Sequence, residues 1–391
     1  MNNSNNNSYK LPKGFVFILA MLTSISPLAI DTYLPSFLQI SQTFSTSINN
    51  IELTLSIYLF GFAIGQLIGG PLSDKYGRKN FIFVGIGIYI LFSLLISISS
   101  SIEQMLFFRF MQAIGGGFAV VNTNAIVRDI YHGKKGAKVF SIISMIMMMA
   151  PLLAPVIGAV IVSYYEWQVI FIVIALYAFL LSFFILKLPE TSPKNKDKNL
   201  YENYIKIIKS KKPMLLIMSN AFAFSGLFVF LAKSSFIYMD NFKVSVEIFP
   251  VLFGLNVLTL IAFSRFNIKL LETKSTYSIL KAGITLQLLF AILLILSVQL
   301  NSLILTVIIL MFYIGVLGII FANAISLLLE DFKSISGTAN ALNGVAGFAV
   351  ASIVGIIASL MHNGTLYPVF IMMFFTSLSS LVLLISYSKN K

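Results

Sequence analysis

The chain has 391 residues, of which 58% are hydrophobic and only 10% charged, with a net charge of +13 and no cysteine. A soluble domain carries roughly 25% charged residues, so this composition is that of a chain dissolved in lipid, and the missing cysteines exclude disulfides, thiol catalysis and cysteine metal sites. The positive charge does not point to nucleic acid, because it lies in short loops between apolar runs and forms no continuous basic face; topology and anionic lipid headgroups account for it.

A membrane-spanning helix needs about 20 mostly apolar residues. After a polar, Asn-rich start (MNNSNNNSYKLPK), runs of that kind fall at 14–37, 48–72, 80–99, 102–127, 138–163 and 167–187, and again at 213–238, 247–266, 277–298, 301–329, 336–360 and 365–386. They are continuous and lack the alternation of a membrane barrel strand, so they read as helices. The first has no small-residue cleavage pattern behind it and is expected to be retained. Of the 27 Lys and Arg residues, 24 sit in alternate gaps between the runs, which places both termini and the loop around residue 200 on the cytoplasmic side. The expected fold class is an all-α membrane protein with twelve transmembrane helices in two six-helix bundles: 1–188, a cytoplasmic linker 189–212, and 213–391. The linker's tail, YENYIKIIKSKK, fits a short amphipathic helix on the membrane and a solvated tether equally well.

Charges inside spans are costly and usually face a partner or a cavity. Asp31 and Arg109 both fall roughly 10 Å below the outer surface at 1.5 Å per residue, which makes them candidate partners. Ser24, Pro27 and Asp31 follow three-four spacing, as do Arg109, Gln112, Gly116 and Thr123, so each helix carries one polar stripe. Two readings stand: a structural tether or snorkelling pair, and a carboxyl that exchanges a proton with a cavity while the arginine tunes it. Glu52 reads as interfacial, Lys233 as snorkelling and Trp167 as an outer-interface anchor. His132 and His362 fall on opposite faces and cannot share a metal. Neither a catalytic constellation at one depth nor a phosphate-binding G-x-x-x-x-G-K-[ST] loop is present, which disfavours a membrane enzyme and a nucleotide-driven pump.

Between spans two and three lies GPLSDKYGRK, residues 70–79, where Gly70 and Gly77 suit close packing and a tight reversal. Its spacing resembles the signature loop of the major facilitator superfamily. That resemblance implies that Asp74 caps a helix of the opposite half, and that Arg78, beside Lys79, joins a charge network with Asp129 after the fourth span, latching the cytoplasmic side. RFMQAIGGG from Arg109 resembles the family's fourth-span motif. APLLAPVIG, with Pro151, Pro155 and Gly158, resembles the fifth-span motif of exporters, except that Ala150 stands where Gly is usual. LAIDTYLP (Leu28 to Pro35) and SGTANAL (Ser336 to Leu342) resemble the Bcr/CflA subfamily of drug:proton antiporters, named for bicyclomycin and chloramphenicol resistance. The resemblance implies proton-coupled efflux of small amphipathic compounds by alternating access, with Asp31, Tyr33, Arg109 and Gln112 at the proton-coupling site and substrate cavity. It implies no cofactor beyond the proton gradient, protons and membrane lipids as partners, a monomer, and a bacterial-type inner membrane location. A facilitator or proton-coupled transporter of one metabolite on the same fold is the alternative, and a polytopic membrane enzyme the remote one.

Overall fold

The computed structural model describes residues 11–131, 133–191, 200–332 and 336–389. His132 and residues 192–199, the middle of the expected linker, lie outside the described residues. Among the described residues every regular element is a helix, and twelve are long and apolar enough to cross a membrane.

The first half contains α1 (Phe15–Asp31), α2 (Phe37–Thr43), α3 (Ile48–Tyr76), α4 (Arg78–Ser97), α5 (Ile102–Ile130), α6 (Gly133–Tyr164) and α7 (Gln168–Ile185). Helix α1 stops four residues before Pro35 because proline has no N–H for the Asp31 carbonyl; a 3-10 turn, Leu34–Ser36, leads into α2, and the two form one span. Pro151 and Pro155 lie inside α6 without ending it, as neighbouring helices permit in a membrane. A short helix, α8 (Leu200–Lys209), precedes the second half. There follow α9 (Lys211–Ser235), which runs on through a π-helical turn Phe236–Asn241, α10 (Phe249–Leu271), α11 (Thr276–Ser297), α12 (Leu303–Gly315), α13 (Leu317–Asp331), α14 (Ser336–Leu360) and α15 (Tyr367–Lys389). Helices α12 and α13 form a single span interrupted only at Val316. Ser101, Ser275 and Ser302 accept from the backbone N–H three residues on and so cap α5, α11 and α12.

The two halves repeat one packing scheme. In the first, α3 and α4 pack on α5, α4 on α7, and α1 on α6; in the second, α10 and α11 pack on the α12/α13 span, α11 on α15, and α9 on α14. Between halves, α3 packs along α14 and α6 along α10, two contacts that the same repeat exchanges. The α3–α5 seam is built on small residues. A Cβ at Gly61, Gly65 or Gly69 would run into Phe110, Ile114 or Phe118 of α5, and one at Gly85 of α4 into the Gly115 carbonyl. Small residues four apart let helix backbones approach closely where lipid supplies no hydrophobic drive. Helix α8 answers the question left open by the sequence: Ile207 is buried with Leu216, Leu327 and Leu342 of the second half, while Ile205 and Ile208 are exposed. It is an amphipathic helix docked on one face.

Candidate functional site

Helix α1 is the centre of the first half, and its carbonyls explain how. Met21 O accepts from Tyr177 Oη of α7 at 2.9 Å, Ile25 O from Tyr89 Oη of α4 at 3.1 Å, and Ala29 O from Arg109 Nη2 of α5 at 3.1 Å. These oxygens recur every four residues, so one face of α1 presents a row of acceptors to three different helices. Ala29 lies in the last turn of α1, where carbonyls lose their intrahelical partners and the helix dipole favours a cation. Arg109 supplies that cation. Its Nη1 donates to Gln112 Oε1 at 2.8 Å, Gln112 Nε2 donates to Ser93 Oγ at 2.7 Å, and the guanidinium lies over the rings of Tyr33 and Tyr58, 4.2 and 4.4 Å from their centroids. Tyr33 is fixed in turn by a 3.2 Å hydrogen bond between its hydroxyl and Thr54 Oγ1.

Asp31 and Arg109 meet at the same depth but do not pair. The arginine takes Ala29 O, and two residues along a helix the next side chain points about 200° away at 3.6 residues per turn, which turns the Asp31 carboxyl aside. Asp31 Oδ1 is buried with no hydrogen-bond partner among the described residues. Neither group snorkels: Asp31 is 3% exposed and Arg109, Tyr33 and Gln112 are 0%. All four are enclosed among the side chains of the first half in this structure. Helix α6 closes the other side, where a Cβ on Gly158 would overlap the Thr32 carbonyl and come within 3.4 Å of Pro35 Cδ. The fifth-span motif thus brings the α6 backbone onto the break that follows Asp31, with Pro155 buried in the same stretch.

At the lysine-rich face, Arg78 Nη1 lies 2.9 Å from Asp74 Oδ1 and its Nε 2.5 Å from Asp129 Oδ2, to which Thr191 Oγ1 also donates at 3.0 Å. Lys79 Nζ donates to Leu186 O, just past the end of α7, at 2.6 Å. Glu190, absent from the sequence-derived set, accepts from the backbone N–H groups of Arg78 and Lys79 at 2.9 and 3.1 Å, so a carboxylate over 100 residues away caps the start of α4. Gly77 makes this possible: its φ is +100° and a Cβ there would sit 2.8 Å from Glu190 Oε2. Gly70 has no such role, since its nearest neighbour would be Val121 Cγ2 at 3.9 Å. Glu190 and Thr191 belong to the first half's network, beyond the expected boundary at 188.

Two further expectations change. Glu52 and Lys233 are not membrane-interface residues but a buried ion pair between α3 and α9, with Lys233 Nζ also donating to Asn49 Oδ1 at 3.0 Å. Trp167 is 0% exposed; its indole N–H donates to Thr43 Oγ1 at 3.2 Å and its ring meets Phe44 and Phe171.

Two six-span halves of matching packing, with charged groups sealed inside the first and between the two, define a membrane transporter built from repeated bundles. The Major Facilitator Superfamily model matches residues 19–356, and the chain belongs to that family. It is 33% identical over 363 residues to a "Bicyclomycin resistance protein homolog" of Haemophilus influenzae, covering 90% of this chain and 91% of the relative. It is 28% identical over 362 residues to a "Chloramphenicol resistance protein" of Pseudomonas aeruginosa, covering 90% and 86%. Among solved structures, a D-xylose-proton symporter superposes with a TM-score of 0.77 over 94% of this chain and 97% of that one, at 15% identity, which shows the fold alone. The protein is a multi-pass inner-membrane transporter of the Bcr/CflA type, not an enzyme.

Proposed function

We propose that this transporter exports small amphipathic compounds in exchange for protons, by rocking of the halves 1–188 and 213–391 about the linker 189–212, with both termini cytoplasmic. The names of the two relatives support drug export, and the lysine-rich loops support the orientation. The observation that carries the reading is Asp31, a buried carboxyl without a counter-ion among the described residues, at the break in α1 and two residues past the carbonyl that the fully enclosed Arg109 holds. An ionised carboxylate is too costly to leave unpaired there, so Asp31 carries its proton in this closed state and gives it up when rocking opens the site. Arg109 and Gln112 hold the end of α1 in register, and Tyr33 screens the guanidinium until substrate enters. Pro151, Pro155 and Gly158 let α6 ride on that segment. At the cytoplasmic face, Gly70, Asp74, Gly77, Arg78, Lys79 and Asp129 form the latch, with Asp74 capping a helix of the opposite half while the gate is shut.

The test uses purified protein in liposomes under an imposed pH gradient, with internal pH followed as amphipathic drugs and small metabolites are added. Substrate-dependent proton movement that disappears in Asp31→Asn supports antiport. Transport that ignores the gradient moves the protein to a facilitator and returns Asp31 to a structural role.

A further inference from the structure

The Glu52–Lys233 pair is the one ion pair among the described residues with both side chains essentially unexposed, and it joins different halves. Around it, the halves are tied by side chains that donate to backbone across the seam: Ser235 Oγ to Leu34 O at 2.5 Å and Ser352 Oγ to Ser56 O at 2.7 Å. Gly355 of α14 lies against Ser56, where a Cβ would overlap the serine hydroxyl. All of these sit toward the ends of α3 and α9 remote from the GPLSDKYGRK loop. We propose that Glu52 and Lys233 are the outer-gate residues of the transport cycle: their pairing holds the outer ends of spans two and seven together, and each outward opening must separate them into water.

A buried pair is a weak contributor to overall stability, because desolvation offsets its attraction, but deleting one partner leaves a costly uncompensated charge. That asymmetry suits a gate. Closed, Lys233 is satisfied by Glu52 Oε2 and Asn49 Oδ1, while Glu52 Oε1 has no hydrogen-bond partner among the described residues; open, water satisfies both; the intermediate with one bare charge is avoided, so the outer end has two states. Removing Glu52 strands the Lys233 ammonium in the closed state, and the closed state alone is penalised. The proposal rests on the rocking reading above but not on the proton role of Asp31.

The experiment is a pulsed electron-spin distance measurement on the full chain in lipid nanodiscs, with spin labels at Ser47→Cys and Thr365→Cys, both exposed near this seam. No native cysteine competes for label. In the otherwise unmodified chain, a pH step with an added amphipathic substrate shifts the distribution between short and long distances. Glu52→Gln and Lys233→Met each raise the long-to-short ratio by on the order of 100- to 1,000-fold, the size expected for one stranded buried charge. The charge-reversed double variant Glu52→Lys with Lys233→Glu returns the distribution toward the short distance, which distinguishes a lost gate from a damaged fold. Single variants that leave the ratio unchanged in a chain that still responds to the pH step overturn the gate. A chain that never changes distance overturns the rocking reading, and the gate with it.

Discussion

Gly77→Ala puts two separable costs on one position. The first is backbone strain: φ of +100° with ψ of 134° is a conformation that only glycine adopts freely, and forcing a Cβ into it costs about 1–3 kcal/mol. The second is the loss of the α4 cap. The new Cβ would stand 2.8 Å from Glu190 Oε2, so the carboxylate must swing out and release the Arg78 and Lys79 N–H groups, a loss of about 1 kcal/mol for a cap in a partly solvated place. Together these come to about 2–4 kcal/mol for local opening of the loop, or a rise of roughly 30-fold or more in amide exchange at 78 and 79. Hydrogen exchange read by mass spectrometry on the peptide spanning 70–85 measures this directly. Glu190→Ala removes the cap without the backbone strain, and the double variant costs less than the two singles added together, because with Glu190 gone the Cβ meets only Asn80 Nδ2, at an ordinary 3.6 Å. Exchange in Gly77→Ala within about twofold of the unmodified chain, or strict additivity in the double, refutes the account.

Arg109→Lys keeps the charge but gives up one of two hydrogen bonds and the flat contact with Tyr33 and Tyr58. At about 1.5–3 kcal/mol for a charged hydrogen bond and about 0.5–2 kcal/mol for the ring contacts, liposome transport falls by on the order of 100-fold at equal membrane amounts; full activity would show that the planar fork is dispensable. His362, in the turn between α14 and α15, is held below its ordinary value of 6.5 by burial and, after that, by Lys233. The unfolded chain therefore takes up the proton first, and thermal stability declines as pH falls through the window just below 6.5. His362→Gln flattens that part of the profile, and an unchanged slope in the variant excludes the histidine as its source.

The spans were legible because a lipid solvent writes them as long apolar runs, and their ends came within a few residues: 48–72 against Ile48–Tyr76, 102–127 against Ile102–Ile130. The breaks were less so. Pro35 interrupts its helix whereas Pro151 and Pro155 do not, and what decides is whether neighbouring helices satisfy the freed carbonyls, which no local window contains. The same limit governs the site. Arg109 and Asp31 could be placed at one depth by counting residues, but which carbonyl the arginine grips depends on the rotation of α1. Glu190 and the Glu52–Lys233 pair join residues 112 and 181 positions apart, and each taken alone has the profile of an ordinary residue at a membrane boundary. The one available hint for Glu190 was the positive φ that Gly77, followed by a helix start, was free to adopt.

Helix α3 carries Glu52 in its second turn and Asp74 in its last, about 33 Å apart at 1.5 Å per residue. Between them, Gly61, Gly65 and Gly69 lock a central stretch of about 12 Å to α5. A rod clamped in this way behaves as a lever: tilting it to bring one end against the opposite half swings the other end away. Two latches mounted on separate, supple helices would need some signal to keep both from being open together and letting protons run freely through the membrane. If Asp74 and Glu52 serve as the two latches proposed above, mounting them on one stiff beam makes them exclude each other by mechanics, and the glycine seam that looks like simple close packing is what gives the beam its stiffness.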